Sequence, residues 1–275
     1  MLKNNKLLID ENCPMCSIYG KCFTKFGLID GETVSPYQTI EETYTSQIDM
    51  ERAKTEIALF DNNTATTTYG IDAMIKIVAN GNSVITNILH STLIYAFLLC
   101  LYRFISYNRK VIYPTAIEKG VRECVPEMSH KYRLTYILFV AIFTGIVLNQ
   151  YAFHINTAFG LEHNWMREYY ICFGQIAWQL VAIYFIRKNK ALEYLGNMST
   201  VSMIGGILLL PILWLNHLFE FHGFGLIAAF MSVVGIMFFE HIRRCKLLSL
   251  PLWMTASWVT YRTVVLAIIL FFIFI

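Results

Sequence analysis

Asp10-Glu11-Asn12-Cys13-Pro14-Met15-Cys16 sets two cysteines three residues apart, where a short apolar run ends and a helical pattern begins. Upstream, Lys6-Leu7-Leu8-Ile9-Asp10 has the pattern of a buried strand that stops at polar residues. Asn12 is a good N-cap for a helix starting at Cys13, and Pro14 falls in the first turn, where a backbone N–H is not needed. Helical spacing puts Cys13 and Cys16 on one face a turn apart, within reach of a disulfide. The positive end of the helix favours the thiolate of Cys13. This pattern permits thiol–disulfide exchange, with Cys13 attacking and Cys16 resolving the mixed disulfide. Asp10 can relay the proton of Cys16, or it is only a turn residue at the helix entry. Half a zinc site and plain packing are the competing readings of the pair. The nearest further ligand types, Cys22, His90 and Cys100, complete no second pair at zinc spacing.

Onward from the pair, the pattern predicts strand 5–10, helix 13–27, strand 33–38, helix 40–54, strand 56–60, strand 66–69 and helix 71–80. Asp61-Asn62-Asn63 supplies the turn between the last two strands. Cys22, nearly two turns past Cys16, reads as a buried filler.

Asp10, Cys13 and Cys16 match the Asp-x-x-Cys-x-x-Cys signature, and later pieces follow in order: Ser35-Pro36-Tyr37-Gln38, Ile57-Ala58-Leu59-Phe60-Asp61 and Tyr69-Gly70-Ile71-Asp72-Ala73. In these the first 80 or so residues resemble the DCC family of thiol-disulfide oxidoreductases. The chain departs from that family at Glu11, where glycine is usual. The resemblance implies a thioredoxin-like α/β domain over residues 1–82 with disulfide reductase activity, needing no cofactor for the CxxC chemistry. Its partners would be a protein or small-molecule disulfide or dithiol. Thioredoxin-like proteins usually place a cis-proline just before the third strand, whereas Thr55-Glu56 stand there in this chain.

The chain is 275 residues long, 56% hydrophobic and only 15% charged, with mean hydropathy +0.49, which is too apolar for a soluble protein of this size. The excess lies in residues 83–275, read as an all-α polytopic membrane bundle that begins after Asn80-Gly81-Asn82. Six runs have bilayer length, at about 84–105, 134–153, 168–187, 198–216, 223–240 and 252–275. The first is interrupted by Asn87, His90, Ser91 and Thr92, so five or six helices span. Pro211 is expected to kink the fourth. Met1 to Asp10 lacks the length of a cleavable signal peptide. The seven cysteines, an odd number, make no disulfide framework.

Charge in the connections is lopsided. Residues 103–133 carry Arg103, Arg109, Lys110, Lys119, Arg122, Lys131 and Arg133; Arg187, Lys188 and Lys190 follow, then Arg243, Arg244 and Lys246, with Arg167 alone on the alternate loops. The positive-inside rule makes the rich connections cytoplasmic. With six spans the CxxC domain is extracytoplasmic; if the first run does not cross, it is cytoplasmic. The expected location is a bacterial cytoplasmic membrane.

His154, His163, His217 and His222 share one membrane face, with Glu162 and Glu220 beside them. They suit a haem, a transition metal or a quinone, or an interfacial belt with Trp165 and Trp214. Arg262 lies within the last run, where a charge needs a partner or a water-filled cleft, unless it snorkels. The sequence thus supports a membrane-bound thiol-disulfide oxidoreductase with a membrane redox partner. A membrane carrier or channel with a redox-sensing or docking head is the alternative. The acidic head, with 7 Lys/Arg against 11 Asp/Glu, excludes nucleic acid as a partner.

Overall fold

The computed structural model describes residues 4–11, 13–40, 44, 47–115 and 128–274. The chain forms two compact units, Met1–Tyr132 and Arg133–Ile275.

The first unit is built on a four-stranded sheet. Its strands are β1 (Asn5–Ile9), β2 (Val34–Pro36), β3 (Ala58–Asp61) and β4 (Thr66–Tyr69), in the spatial order β2-β1-β3-β4. β1 runs parallel to β2 and antiparallel to β3, and β3 forms a hairpin with β4. The central strands are short and apolar because both sheet faces are covered. Leu7, opposite Leu59, joins Phe23, Ile29, Ala73 and Ile77 on one face, while Leu8, opposite Ala58, joins Tyr37, Ile48, Ala53 and Phe60 on the other. Alternation along β1 and β3 therefore feeds two cores, and a one-residue slip would exchange them.

The first core is closed by α1 (Pro14–Lys25) and α3 (Gly70–Ala79), and α2 (Met50–Ala53) contributes to the second. Asn12 lies outside the described residues, and Cys13 itself takes the N-cap position of α1, with extended backbone. Helix α1 thus starts one residue later than the sequence suggests. Of the helix expected over 40–54, the described residues include Met50–Ala53, which starts afresh because the Asp49 side chain accepts a hydrogen bond from Arg52 N at 3.0 Å. The second strand is shorter than expected, since a 3-10 turn at Tyr37–Thr39 follows Pro36. Asp61 accepts from Asn63 N at 3.0 Å, fixing the β3–β4 turn. Cys22 is exposed rather than buried, because α1 turns Cys16, Gly20 and Phe23 inward and leaves Cys22 on its outer side.

Helix α3 ends at Asn80 in the left-handed conformation, and Asn82 caps α4 (Ser83–Leu89) by accepting from Val84 N and Ile85 N. A 73° bend at His90–Ser91 separates α4 from α5 (Thr92–Ile112). The sequence boundary at residue 82 marks where polar composition gives way to apolar. The compact unit runs further, because α5 packs on the sheet domain.

The second unit holds α6 (His130–Ala158, mostly in this unit), α7 (Arg167–Arg187), α8 (Ala191–Phe219), α9 (Gly223–Leu247) and α10 (Trp253–Phe274). Among the described residues, four helical stretches are long and apolar enough to cross a membrane: His130–Ala158, Arg167–Phe219, Gly223–Leu247 and Trp253–Phe272. The chain is therefore a membrane protein. Arg167–Phe219 has 53 residues, roughly 80 Å as one helix against a hydrocarbon core of about 30 Å. It comprises α7 and α8, parted where Arg187 leaves helical geometry before a 3-10 turn at Lys188–Lys190. The run 84–105 is the bent pair α4–α5. Helix α8 stays helical on both sides of Pro211. Tyr151, Tyr194, Met198, Val201, Leu226 and Trp258 are fully buried in the core of this unit.

Candidate functional site

Strand β1 ends by delivering Asp10, and the turn into α1 delivers Cys13. Cys13 N donates to Asp10 O at 3.1 Å, and Ser17 N donates to Cys13 O at 3.0 Å, which seats the residue at the helix entry. Cys13 is partly exposed and Cys16, one turn on, is buried; both are free thiols. The structure thus brings the two cysteines together in the order of exposure that exchange chemistry needs.

The electrostatics divide the pair. Cys13 is pulled below the usual thiol range to about 6, first by the hydrogen bond from the Cys16 thiol, then by the Cys16 backbone N–H and the Arg109 charge. Burial and the Asp10 carboxylate oppose this shift. Cys16 is pushed far above the usual range because its proton is shared with Cys13, because it is buried, and because a Cys13 thiolate would repel a second negative charge. The pair is thus poised with the more exposed thiol the more acidic and the buried thiol the less acidic.

Asp10 is buried, and its carboxylate accepts from Gln38 Nε2 at 2.5 Å. Gln38 Oε1 in turn accepts from Glu11 N at 3.2 Å. Gln38, just past β2, therefore ties Asp10 and Glu11 together at the start of the turn before the cysteines. At Glu11 the turn is held by this side-chain amide rather than by glycine's conformational freedom.

Sequence reasoning counted Arg109 only as a loop charge. It lies in α5, 8% exposed, with Nη1 3.9 Å from Cys16 Sγ and Nη2 donating to Lys54 O at 2.7 Å. Two neighbours on the same helix face act alike. Ser106 Oγ donates to Thr55 O at 2.8 Å, and Tyr102 OH accepts from Ile57 N at 3.0 Å. Tyr102, Ser106 and Arg109 follow the spacing of one helical stripe, and this polar stripe at the end of an apolar run was the available signal. The backbone of residues 54–57, directly before β3, is thus engaged by α5 side chains.

Between α5 and the sheet domain lies a cavity of about 190 Å³, walled by Cys16, Tyr19, Ile71, Met74, Leu98 and Tyr102 among others. Its lining is mostly apolar, and Arg109 stands at its edge with Cys16.

Of the four histidines singled out in the sequence, all in the second unit, His154 lies in α6 and His217 in the last turn of α8, while His163 and His222 lie in the connections. His163 is held between Asn149 Oδ1 at 2.8 Å and Asn156 Nδ2 at 3.3 Å, with its ring edge-on to Phe153 and Trp165. His154 lies edge-on to Phe153, while His217 and His222 are exposed. Among the described residues no three His, Cys, Asp or Glu side chains gather as metal ligands. The histidine most engaged in this unit is His241, which was not singled out by sequence. It is 1% exposed, bonded to Tyr194 OH at 3.1 Å and Thr255 Oγ1 at 3.0 Å, and stacked on Trp258. No family model, curated protein or solved structure matches the chain.

Proposed function

We propose that the chain is a membrane-bound thiol-disulfide oxidoreductase. The observation that carries this reading is the division of the pair, with a partly exposed Cys13 at the helix entry, its thiol made more acidic, beside a buried Cys16. Cys13 Sγ attacks a substrate disulfide, forming a mixed disulfide and expelling one substrate thiolate. Cys16 then gives up its proton and attacks Cys13 Sγ, expelling the second thiolate and closing the Cys13–Cys16 disulfide. The substrate gains two electrons, and an external dithiol returns them to the pair. Asp10, fixed by Gln38, is the carboxylate next to this exchange and takes the role of proton relay.

The sheet order β2-β1-β3-β4 with a CxxC after β1 supports a thioredoxin-like domain. With the Asp10, Cys13 and Cys16 pattern it also supports kinship with the DCC family. The docking of α5 favours a cytoplasmic position for this domain. The end of α5 that carries Arg103, Arg109 and Lys110 packs against the sheet domain, and the positive-inside rule keeps that end in the cytoplasm. The bent α4–α5 pair then lies at the membrane surface or enters and returns.

The test uses the full chain in detergent with a small aromatic disulfide. Wild type reduces it, Cys13→Ser does not, and Cys16→Ser accumulates a mixed disulfide at Cys13. Equal turnover by wild type and Cys13→Ser would remove the assignment.

A further inference from the structure

The second unit contains a smaller cavity of about 50 Å³ between α6, α7, α8 and α10, lined by Thr144, Cys172, Gln175, Ser199, Ser202 and Arg262 among apolar neighbours. Three buried polar atoms on this lining have no hydrogen-bond partner: Thr144 Oγ1, Gln175 Nε2 and Arg262 Nε. Thr144 and Gln175 are each only 5% exposed. Native interiors leave few such atoms unsatisfied, so three on one small cavity identify a place built to be filled.

The chemistry of the donors indicates what fills it. A guanidinium N–H, an amide N–H and a hydroxyl meet there, and the guanidinium keeps its charge at every physiological pH. Arg262 stands midway along the crossing-length stretch Trp253–Phe272. Its guanidinium lies over the face of Trp258, 4.1 Å from the ring centre. Among the described residues it forms no ion pair, and Glu168, one turn before Cys172, is held by Arg167 at 2.7 Å. A cation at that depth calls for a counter-charge. At about 50 Å³ the cavity has room for a small bound anion.

We propose that this cavity binds one small monovalent anion such as chloride, held by Arg262, Gln175 and Thr144. The proposal stands independently of the thiol chemistry. The bound anion would neutralise Arg262 and join three helices that each contribute one donor.

Equilibrium dialysis of the detergent-purified full chain against radiolabelled chloride in gluconate buffer tests this. Expected is a single saturable site, displaced by bromide. Arg262→Gln should weaken it at least about tenfold, and Thr144→Val and Gln175→Leu several-fold each, the loss of one charged and two neutral hydrogen bonds. Near-ultraviolet circular dichroism checks that each variant is folded. If Arg262→Gln does not fold, the two neutral variants decide. Chloride uptake that does not saturate, or that equals wild type in folded Thr144→Val and Gln175→Leu, would mean the cavity holds water, and the proposal would be overturned.

Discussion

Arg109 and Cys16 are separated by 93 residues in sequence, yet the Arg109 Nη1 lies 3.9 Å from the Cys16 sulfur in a buried contact. The charge that lowers the Cys13 thiol therefore arrives from a helix outside the strand and helix that carry the cysteines. Replacing it by Arg109→Gln should raise the midpoint of Cys13 ionisation by up to about one pH unit. Alkylation of Cys13 by iodoacetamide, followed by mass spectrometry across a pH series, reads this directly. An unchanged midpoint would show that Arg109 only braces Lys54.

The same measurement in wild type has a defined sign. Below about 6 Cys13 is protonated and slow; its alkylation should rise through that value and level off above it. Since the hydrogen bond from Cys16 is the largest cause, Cys16→Ala should move the midpoint back toward the ordinary thiol value near 8.5. The lowered value also stabilises the reduced form above the midpoint, and that stabilisation is lost as pH falls through about 6. The disulfide should consequently be more oxidising at pH 8 than an unperturbed pair would be.

Tyr102→Phe removes the acceptor for Ile57 N and leaves that N–H without a partner beside a buried side chain. The cost should be about 1–3 kcal/mol. Hydrogen exchange at Ile57 should quicken and thermal stability fall, and exchange as slow as in wild type would contradict the assignment.

Gly70 has φ +61, and an added Cβ would come 3.0 Å from Glu56 Oε2 and 3.4 Å from Tyr102 Cε1. Gly70→Ala should destabilise the chain by about 1–2 kcal/mol from the backbone alone. A melting temperature equal to wild type would mean that the strand-to-helix junction adjusts without strain.

The three-residue connection Asn80-Gly81-Asn82 suggests a short leash, but α5 holds the sheet domain by three side chains further on. Inserting about 20 Gly/Ser residues after Gly81, where φ is +81 and no atom crowds the glycine, should leave the Cys13 midpoint unchanged. A midpoint shifted to that of Arg109→Gln would show that the leash, not the docking of α5, places Arg109.

Much of the first unit was legible because its signals are local. The apolar run 5–9, the helix-entry cysteines, the Asp61-Asn62-Asn63 turn and Thr66–Tyr69 each declare themselves within a few residues. Gln38 and Arg109 did not, since their roles depend on pairings across 28 and 93 residues that no periodicity reports. Arg109 was also masked by its company, for an arginine just past an apolar run ordinarily marks a membrane border. The break capped by Asp49 was obscured for the opposite reason, as the helix-forming pattern of residues 40–54 runs straight across it.

The hydrogen bonds from α5 to residues 54–57 also decide what can be taken apart. A fragment cut at residue 82 would bare the Ile57 N–H, the Thr55 and Lys54 carbonyls and one wall of the cavity beside Cys16. Its failure to behave would say nothing about the cysteines. The smallest piece that keeps the thiol environment ends at Ile112 or later, so an apolar helix about 80 residues beyond the cysteines is part of their surroundings. A change that shifts that helix will register at the thiols.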